Sequence, residues 1–316
     1  MTTALVKLSS LGDIIHSLIV PPLLKKRGEE VHFVVDSNFK EIVTDNPYIS
    51  QIVEVPLRRA KREKNWRLVV QIWRELGRFE YRKVVDLQGL IKSGVIARRI
   101  VGKGGEVVGG VPPRERLVSL FYNRKVPIDW QKVAAERYME IAGVLDRQFL
   151  IDHPPLVGYP PFSDPHLSQT RKNVAFIIGS TWECRKLPVE TWVKIGEMLK
   201  GWNILIPYWG EKEREYAFQI AERIEATPLS YPLRQLKALL SKVDLILGHD
   251  TGPTFIGWAN NIPNIILYTC TYRNKILENR WTKSVEVQRG QVDRNLYNAH
   301  LLDPKLVEER LNELPI

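Results

Sequence analysis

Short valine- and isoleucine-rich runs alternate with helical stretches along most of this chain, and the alternation is interrupted once. After an opening apolar run, such runs recur at 31–35, 52–55 and 84–87, and again at 174–178, 204–206, 243–247 and 265–268. Strands separated by helical segments predict parallel sheets with helices on both faces. Helices are expected at 65–76, 189–199, 212–224 and 304–314. In the first of these, Trp66, Val69, Val70 and Trp73 share one face, which is expected to meet the core. Between residues 152 and 172 the periodicity fails, and Pro154, Pro155, Pro160, Pro161 and Pro165 crowd the stretch. That reads as an interdomain linker. The 316 residues are long for one core. The expected organisation is therefore a first domain over 1–155, a linker over 156–172 and a second domain over 173–316. Both are expected to be doubly wound and Rossmann-like, facing a central cleft, with the last helix able to pack back on the first domain. Neither contains G-x-G-x-x-G or a P-loop, which weighs against a dehydrogenase or an NTPase.

Charge narrows the partners. The net charge is +10, and it is uneven. Arg58, Arg59, Lys61, Arg62, Lys64 and Arg67 stand against the single acid Glu63, and Arg114, Arg116, Arg124 and Lys125 form a second group. Anionic lipid, a phosphorylated substrate or nucleic acid would each suit this surface, as would a solvated helix face. No aromatic-basic stacking module is visible, so nucleic acid ranks last. No apolar run approaches the roughly 18 residues of a membrane span, and Lys7 and Asp13 interrupt the only stretch that could resemble a signal peptide. Cys184 and Cys270 match no metal spacing and are expected to be reduced thiols in a cytosolic protein.

Candidate chemistry sits where strands end, because open α/β sheets bind ligands outside the carboxyl ends of their strands. The first run breaks at Ser9-Ser10-Leu11-Gly12-Asp13 before a helix. Asp13 there suits either a helix cap or a cleft-facing carboxylate. In the second half, polar segments follow three strands: Ser180-Thr181 through Arg185-Lys186, Tyr208 through Glu213, and Asp250-Thr251-Gly252. Hydroxyls, a glycine turn and a helix start suit a phosphate, and they equally suit a capped helix.

Four blocks go further: residues 9–13 (Ser-Ser-Leu-Gly-Asp), 86–93 (Asp-Leu-Gln-Gly-Leu-Ile-Lys-Ser), 114–125 (Arg-Glu-Arg-Leu-Val-Ser-Leu-Phe-Tyr-Asn-Arg-Lys) and 250–252. Together, over about residues 4–275, they resemble the lipopolysaccharide heptosyltransferases of glycosyltransferase family 9, most of all the heptosyltransferase I branch. The resemblance implies the GT-B fold. It implies transfer of L-glycero-D-manno-heptose from ADP-heptose to Kdo of Kdo2-lipid A, inverting, with no metal and no cofactor. A heptosyltransferase II, or a relative that binds nucleotide-sugar or anionic glycolipid without transfer, is the alternative.

Residue by residue, the resemblance makes Asp13 the base that deprotonates the acceptor hydroxyl, with Ser10 and Gly12 beside it. Arg58, Arg59 and Arg114 would bind the acidic acceptor. Gln88 and Lys92 match a Gln-Gly-x-x-Lys segment, and Gln88 suits a structural role as well. Ser180 and Thr181 would lie near the donor diphosphate, Glu213 near the ribose with Glu211 competing, and Asp250, Thr251 and Gly252 at the sugar and phosphate. Three positions depart from the family: Arg185 takes the place of a lysine, with Lys186 adjacent; Phe255 replaces a histidine; and Thr269-Cys270-Thr271 replaces Gly-Pro-Thr. The chain is expected to act as a monomer, cytoplasmic and peripheral on the inner membrane, where clusters 58–67 and 114–125 face the anionic leaflet.

Overall fold

In the computed structural model, which describes residues 1–271, 276–287 and 299–316, the chain divides into two units, Met1–Gly158 and Tyr159–Ile316. In the first unit the order is β1 (Thr2–Val6), α1 (Leu11–Ser17), α2 (Val20–Lys26), β2 (Glu30–Asp36), α3 (Lys40–Val43), β3 (Gln51–Val55), α4 (Leu57–Arg62) and α5 (Trp66–Leu76). It continues with β4 (Tyr81–Asp86), α6 (Ile91–Ile100), β5 (Val101–Val111), β6 (Arg124–Pro127), α7 (Ala134–Ala142) and α8 (Arg147–Ile151). The six strands are parallel in the order β3-β2-β1-β4-β5-β6, with Val6 opposite Asp86 in the central pair. Against one face of this sheet, α4, α5 and α6 bury Ala60, Ile72, Leu76 and Ile96 on Val6, Val34, Val53 and Val84. Helix α7 packs on α1, β4 and β5.

The second unit runs β7 (Asn173–Ile177), α9 (Val189–Met198), β8 (Asn203–Pro207), α10 (Glu211–Ala221), β9 (Ala226–Leu229) and α11 (Leu233–Leu240). Then follow β10 (Leu245–His249), α12 (Gly252–Ala259), β11 (Asn264–Tyr268), β12 (Thr282–Glu286) and α13 (Pro304–Leu311). Its parallel order, β12-β11-β10-β7-β8-β9, is the first unit's order again. Every strand here except β9 and β12 is buried along its length, as expected for strands covered by helices on both faces. Phe176, Trp192, Ile206, Leu247 and Leu267 make the core.

One expectation needs correction. The face Trp66–Val69–Val70–Trp73 of α5 does not meet the core: these side chains are 69%, 48%, 39% and 47% exposed. The helix carries two apolar stripes, and Leu68, Ile72 and Leu76 form the buried one. Strands β5 and β6 were not legible. Glycine weakens a strand signal, yet at Gly109 a Cβ would stand 2.2 Å from the Tyr122 ring, so close packing requires glycine there. The last helix packs on α9, β11 and β12 of its own unit, where Val307 is fully buried. The two units divide at Gly158 and Tyr159, and Leu156 is tied within the first unit by the Asn46 side-chain amide, which donates to its carbonyl at 2.6 Å.

Candidate functional site

In each unit the strand order reverses between two central strands, β1 and β4 in the first and β7 and β10 in the second. At that reversal the two connections leave in opposite directions and open a crevice. The candidate residues fall at these two places.

In the first unit, Ser10 takes the N-cap position of α1 and Asp13 the third helical position, where its carboxylate completes a capping box with Ser10. The Ser10 hydroxyl donates to Asp13 Oδ2 at 3.0 Å. The other oxygen, Oδ1, accepts from Arg114 Nη2 at 3.1 Å and from the Tyr138 hydroxyl of α7 at 3.2 Å. Behind them the Lys7 ammonium is fully buried, donating to the Leu87 carbonyl at 3.1 Å and lying 4.7 Å from the centre of the Tyr138 ring. Burial alone would push the Asp13 carboxyl up, but Lys7 and Arg114 outweigh it and hold the group far below the ordinary carboxylate range. Burial brings Lys7 down to about 8, against the pull of Asp13. Asp13 is thus an anion held by a hydroxyl, a guanidinium and a phenol.

Gln88 is buried, and its side-chain carbonyl accepts from the backbone N–H groups of Leu8 and Ser9 at 3.1 and 3.0 Å. It ties the loop after β4 to the loop after β1, which is a structural duty. Asp86 supports it from below, accepting from the N–H groups of Gln88 and Gly89 and from the hydroxyls of Ser93 and Tyr122. Gly12 lies in the first turn of α1, and Lys92 is exposed on the first turn of α6. Arg58 and Arg59 are exposed on α4, Arg58 against the Phe39 ring and Arg59 paired with Glu63. The second basic group divides: Arg114 faces Asp13, while Arg124 pairs with Glu106 at 3.4 Å on the edge strand β6. A recess beside Asp13 is lined by Gln88, Gly89, Arg114, Trp130, Arg137 and Tyr138.

In the second unit the structure brings Arg185 and Asp250 together, Nε to Oδ1 at 2.7 Å, both buried. The guanidinium also lies over the Trp182 ring at 4.1 Å, and Thr271 donates to Asp250 Oδ2 at 2.7 Å. Lys186 pairs with the exposed Glu183 at 2.6 Å. Ser180 accepts from the Trp182 N–H at 3.2 Å and Thr181 is exposed beside it. Glu213 points at this loop. A Cβ on Gly179 would meet its carboxylate at 2.6 Å, and it accepts from the Trp209 N–H at 2.8 Å. Burial raises its pKa. Glu211 instead pairs with Arg214 at the surface. Thr251 and Gly252 begin α12, and Phe255 is buried within that helix.

Cys184 and Cys270 form a disulfide, which corrects the expectation of two reduced thiols. The loops after β7 and β11 leave the same end of the sheet with only β10 between them, so residues 86 positions apart come within 5.9 Å, Cα to Cα. That distance is in the range a disulfide requires. Sequence reasoning also passed over Tyr138 and Lys7. Nothing local marks Tyr138, which reaches Asp13 from 125 residues away. Lys7 did leave a signal, a lone charge at the end of an otherwise apolar strand.

Two parallel α/β units of one strand order, each with polar loops gathered at its point of reversal, define a GT-B glycosyltransferase fold. Escherichia coli heptosyltransferase WaaC with ADP superposes with a TM-score of 0.80 at 23% identity, covering 99% of both chains. E. coli ADP-heptose lipopolysaccharide heptosyltransferase II gives 0.75 at 18%, covering 99% of this chain and 98% of that one. The model of glycosyltransferase family 9 (heptosyltransferase) matches residues 69–295, and the chain belongs to that family of enzymes. Lipopolysaccharide heptosyltransferase 1 of Campylobacter coli is 28% identical over 312 residues, 88% of this chain and 87% of the relative. The corresponding Pseudomonas aeruginosa enzyme is 29% identical over 290 residues, 85% and 78% of the two chains. Among the described residues no helix is long and apolar enough to cross a membrane.

Proposed function

We propose that this enzyme transfers heptose from ADP-heptose to Kdo of Kdo2-lipid A, inverting the anomeric carbon and using no metal. The first unit takes the acceptor and the second the nucleotide-sugar. The observation that carries the reading is the Asp13 carboxylate, held at the β1–β4 reversal with Arg114 on one oxygen and Ser10 on the other.

A sugar hydroxyl attacks poorly until a positioned base accepts its proton. Asp13 takes that proton as the hydroxyl oxygen bonds to the anomeric carbon. The bond from that carbon to the diphosphate breaks, and ADP leaves with the electron pair. A carboxylate neutralised by Arg114 is a weak base. The acceptor resolves this, because Kdo brings its own carboxylate, which competes for the Arg114 fork. Arg114 drawn to the substrate leaves Asp13 more basic once the acceptor is seated. On the donor side, Lys186 and the hydroxyls of Ser180 and Thr181 meet the developing charge on ADP, where fixed positive charge lowers the barrier. Arg185, held by Asp250, shapes that loop.

The test is ADP release from purified enzyme given ADP-heptose and Kdo2-lipid A, with and without EDTA. Metal-independent release is expected. No release sinks the reading, and loss with EDTA sinks the metal-free route. A preference for acceptor already bearing one heptose assigns the second transfer instead.

A further inference from the structure

The stripe Trp66–Val69–Val70–Trp73 on α5 is an apolar surface that the fold leaves uncovered, and it lies against the basic run that begins on α4. The core already has its own stripe from this helix, so burial on the sheet does not explain the second one. Two tryptophans two helical turns apart are costly to leave in water, and scattered single apolar residues are what an ordinary surface shows. Arg67 lies against the Trp66 ring at 5.8 Å and Arg99 of α6 against Trp73 at 5.0 Å, so cations flank the apolar stripe. Lys61, Arg62 and Lys64 continue that charge toward the start of α5.

We propose that α5 is a membrane-docking helix. Its Trp66–Trp73 stripe enters the headgroup region of an anionic bilayer while the 58–67 run binds lipid phosphates. An apolar face with aromatic residues, rimmed by Lys and Arg, is the pattern of helices that lie in the membrane interface. Tryptophan suits that depth because its ring is amphipathic. A second copy of this chain would bury the stripe equally well. The adjoining run of six cations against one acid would then face its own image, whereas an anionic lipid surface neutralises it. The docking reading rests on the proposed function only for its purpose, since a lipid-embedded acceptor requires work at a surface.

The experiment is co-sedimentation of the full chain with vesicles of phosphatidylcholine alone and of phosphatidylcholine with phosphatidylglycerol, without donor or acceptor. Binding is expected only to the anionic vesicles and should weaken as salt rises. Trp66→Ser with Trp73→Ser should lower the bound fraction at least tenfold with an unchanged melting temperature, as should Lys61→Glu with Arg62→Glu. Transfer to a deacylated, water-soluble acceptor should be unaffected by the tryptophan pair, while transfer to vesicle-embedded acceptor falls. Wild-type vesicle binding by the tryptophan variant overturns the proposal. So does a wild-type dimer that the variant converts to monomer with no vesicle binding by either. If the enzyme binds vesicles as stated yet transfers no heptose, the docking helix stands and the proposed reaction fails.

Discussion

The Arg114 guanidinium meets the Asp13 carboxylate, Nη2 to Oδ1 at 3.1 Å, across 101 residues of chain. The contact makes the resting site electrically closed, and on the proposed mechanism it pairs the carboxylate that accepts the proton with the cation that binds the acidic acceptor. One substrate anion can separate the two and switch both on together.

Asp13→Ala should lower kcat by about 10²–10⁴, the usual contribution of a general base, beyond the loss of melting temperature expected from removing a charge that stabilises the fold. Steady-state kinetics beside thermal unfolding checks this. An unchanged kcat with a lowered melting temperature would reduce Asp13 to its contact with Ser10.

Arg114→Ala should act on pH dependence as well as on acceptor binding. With Arg114 present the Asp13 carboxyl lies well below its ordinary value. The charge therefore stabilises the fold fully above the unfolded pKa near 4, and that contribution drains as pH falls toward the folded value. Removing the guanidinium lets the carboxyl rise, because a close opposite charge that favoured its ionised form is lost. The acid limb of kcat/KM for a soluble acceptor should move upward accordingly, and the acceptor KM should rise about tenfold or more for a lost charged hydrogen bond.

Lys7 gives a slope of the same sign in a higher pH window, because its folded pKa is lowered too. Burial lowers it to about 8 in the folded state, while the unfolded chain keeps its proton to about 10.4. Between those values the unfolded state binds more protons, so stability should rise with pH across that window. Lys7→Met should abolish the rise in chemical denaturation series from pH 7.5 to 10.5, and NMR of labelled lysine should show one resonance titrating near 8.

The bridge between Cys184 and Cys270 should leave no titratable thiol in the native protein and two after reduction. It closes a long loop, worth about 4–5 kcal/mol in the chain-entropy account, so Cys184→Ser should lower the melting temperature. Donor KM should rise too, because Cys184 adjoins Arg185. Such bridges are uncommon in reducing cytosol, so non-reducing peptide mapping of freshly lysed cells is the direct check.

Glu213→Ala should raise the donor KM about tenfold or more, the cost of losing a charged hydrogen-bond partner, while Glu211→Ala should leave it within about twofold. The carboxylate of Glu213 lies against Gly179, and that of Glu211 is spent on Arg214 at the surface. Donor titrations with the two variants decide between them.

The central strands were legible because an apolar β-branched run can be little else when helices flank it on both sides. The edge strand β6 was not, although the edge strand β3 was: β6 carries Arg124 and Lys125, exposed charges that on sequence alone read as a basic patch. Helix α5 shows the limit most clearly. Its two apolar stripes have comparable periodicity, and only the position of β3 and β4 beneath it selects Leu68, Ile72 and Leu76 for burial. At the site, the residues on strand-end loops could be named from their blocks. Their pairing could not: Arg114 was named from its block and Tyr138 was not, and both reach Asp13 from separate elements.

By itself the sequence determined the repeated parallel α/β units, the polar loops at the strand ends and the basic surface, because each of these is written in local periodicity or composition. The tertiary structure decided which of those residues meet. The reversal of strand order places the β1 and β4 loops side by side, and the crossing of β10 sets Cys184 beside Cys270. It also turned Asp13 from an isolated acid into a half-buried anion shared by Ser10, Arg114 and Tyr138. Such pairings depend on how distant segments pack, and packing over a hundred residues of chain leaves no trace in the order of the amino acids around any one of them.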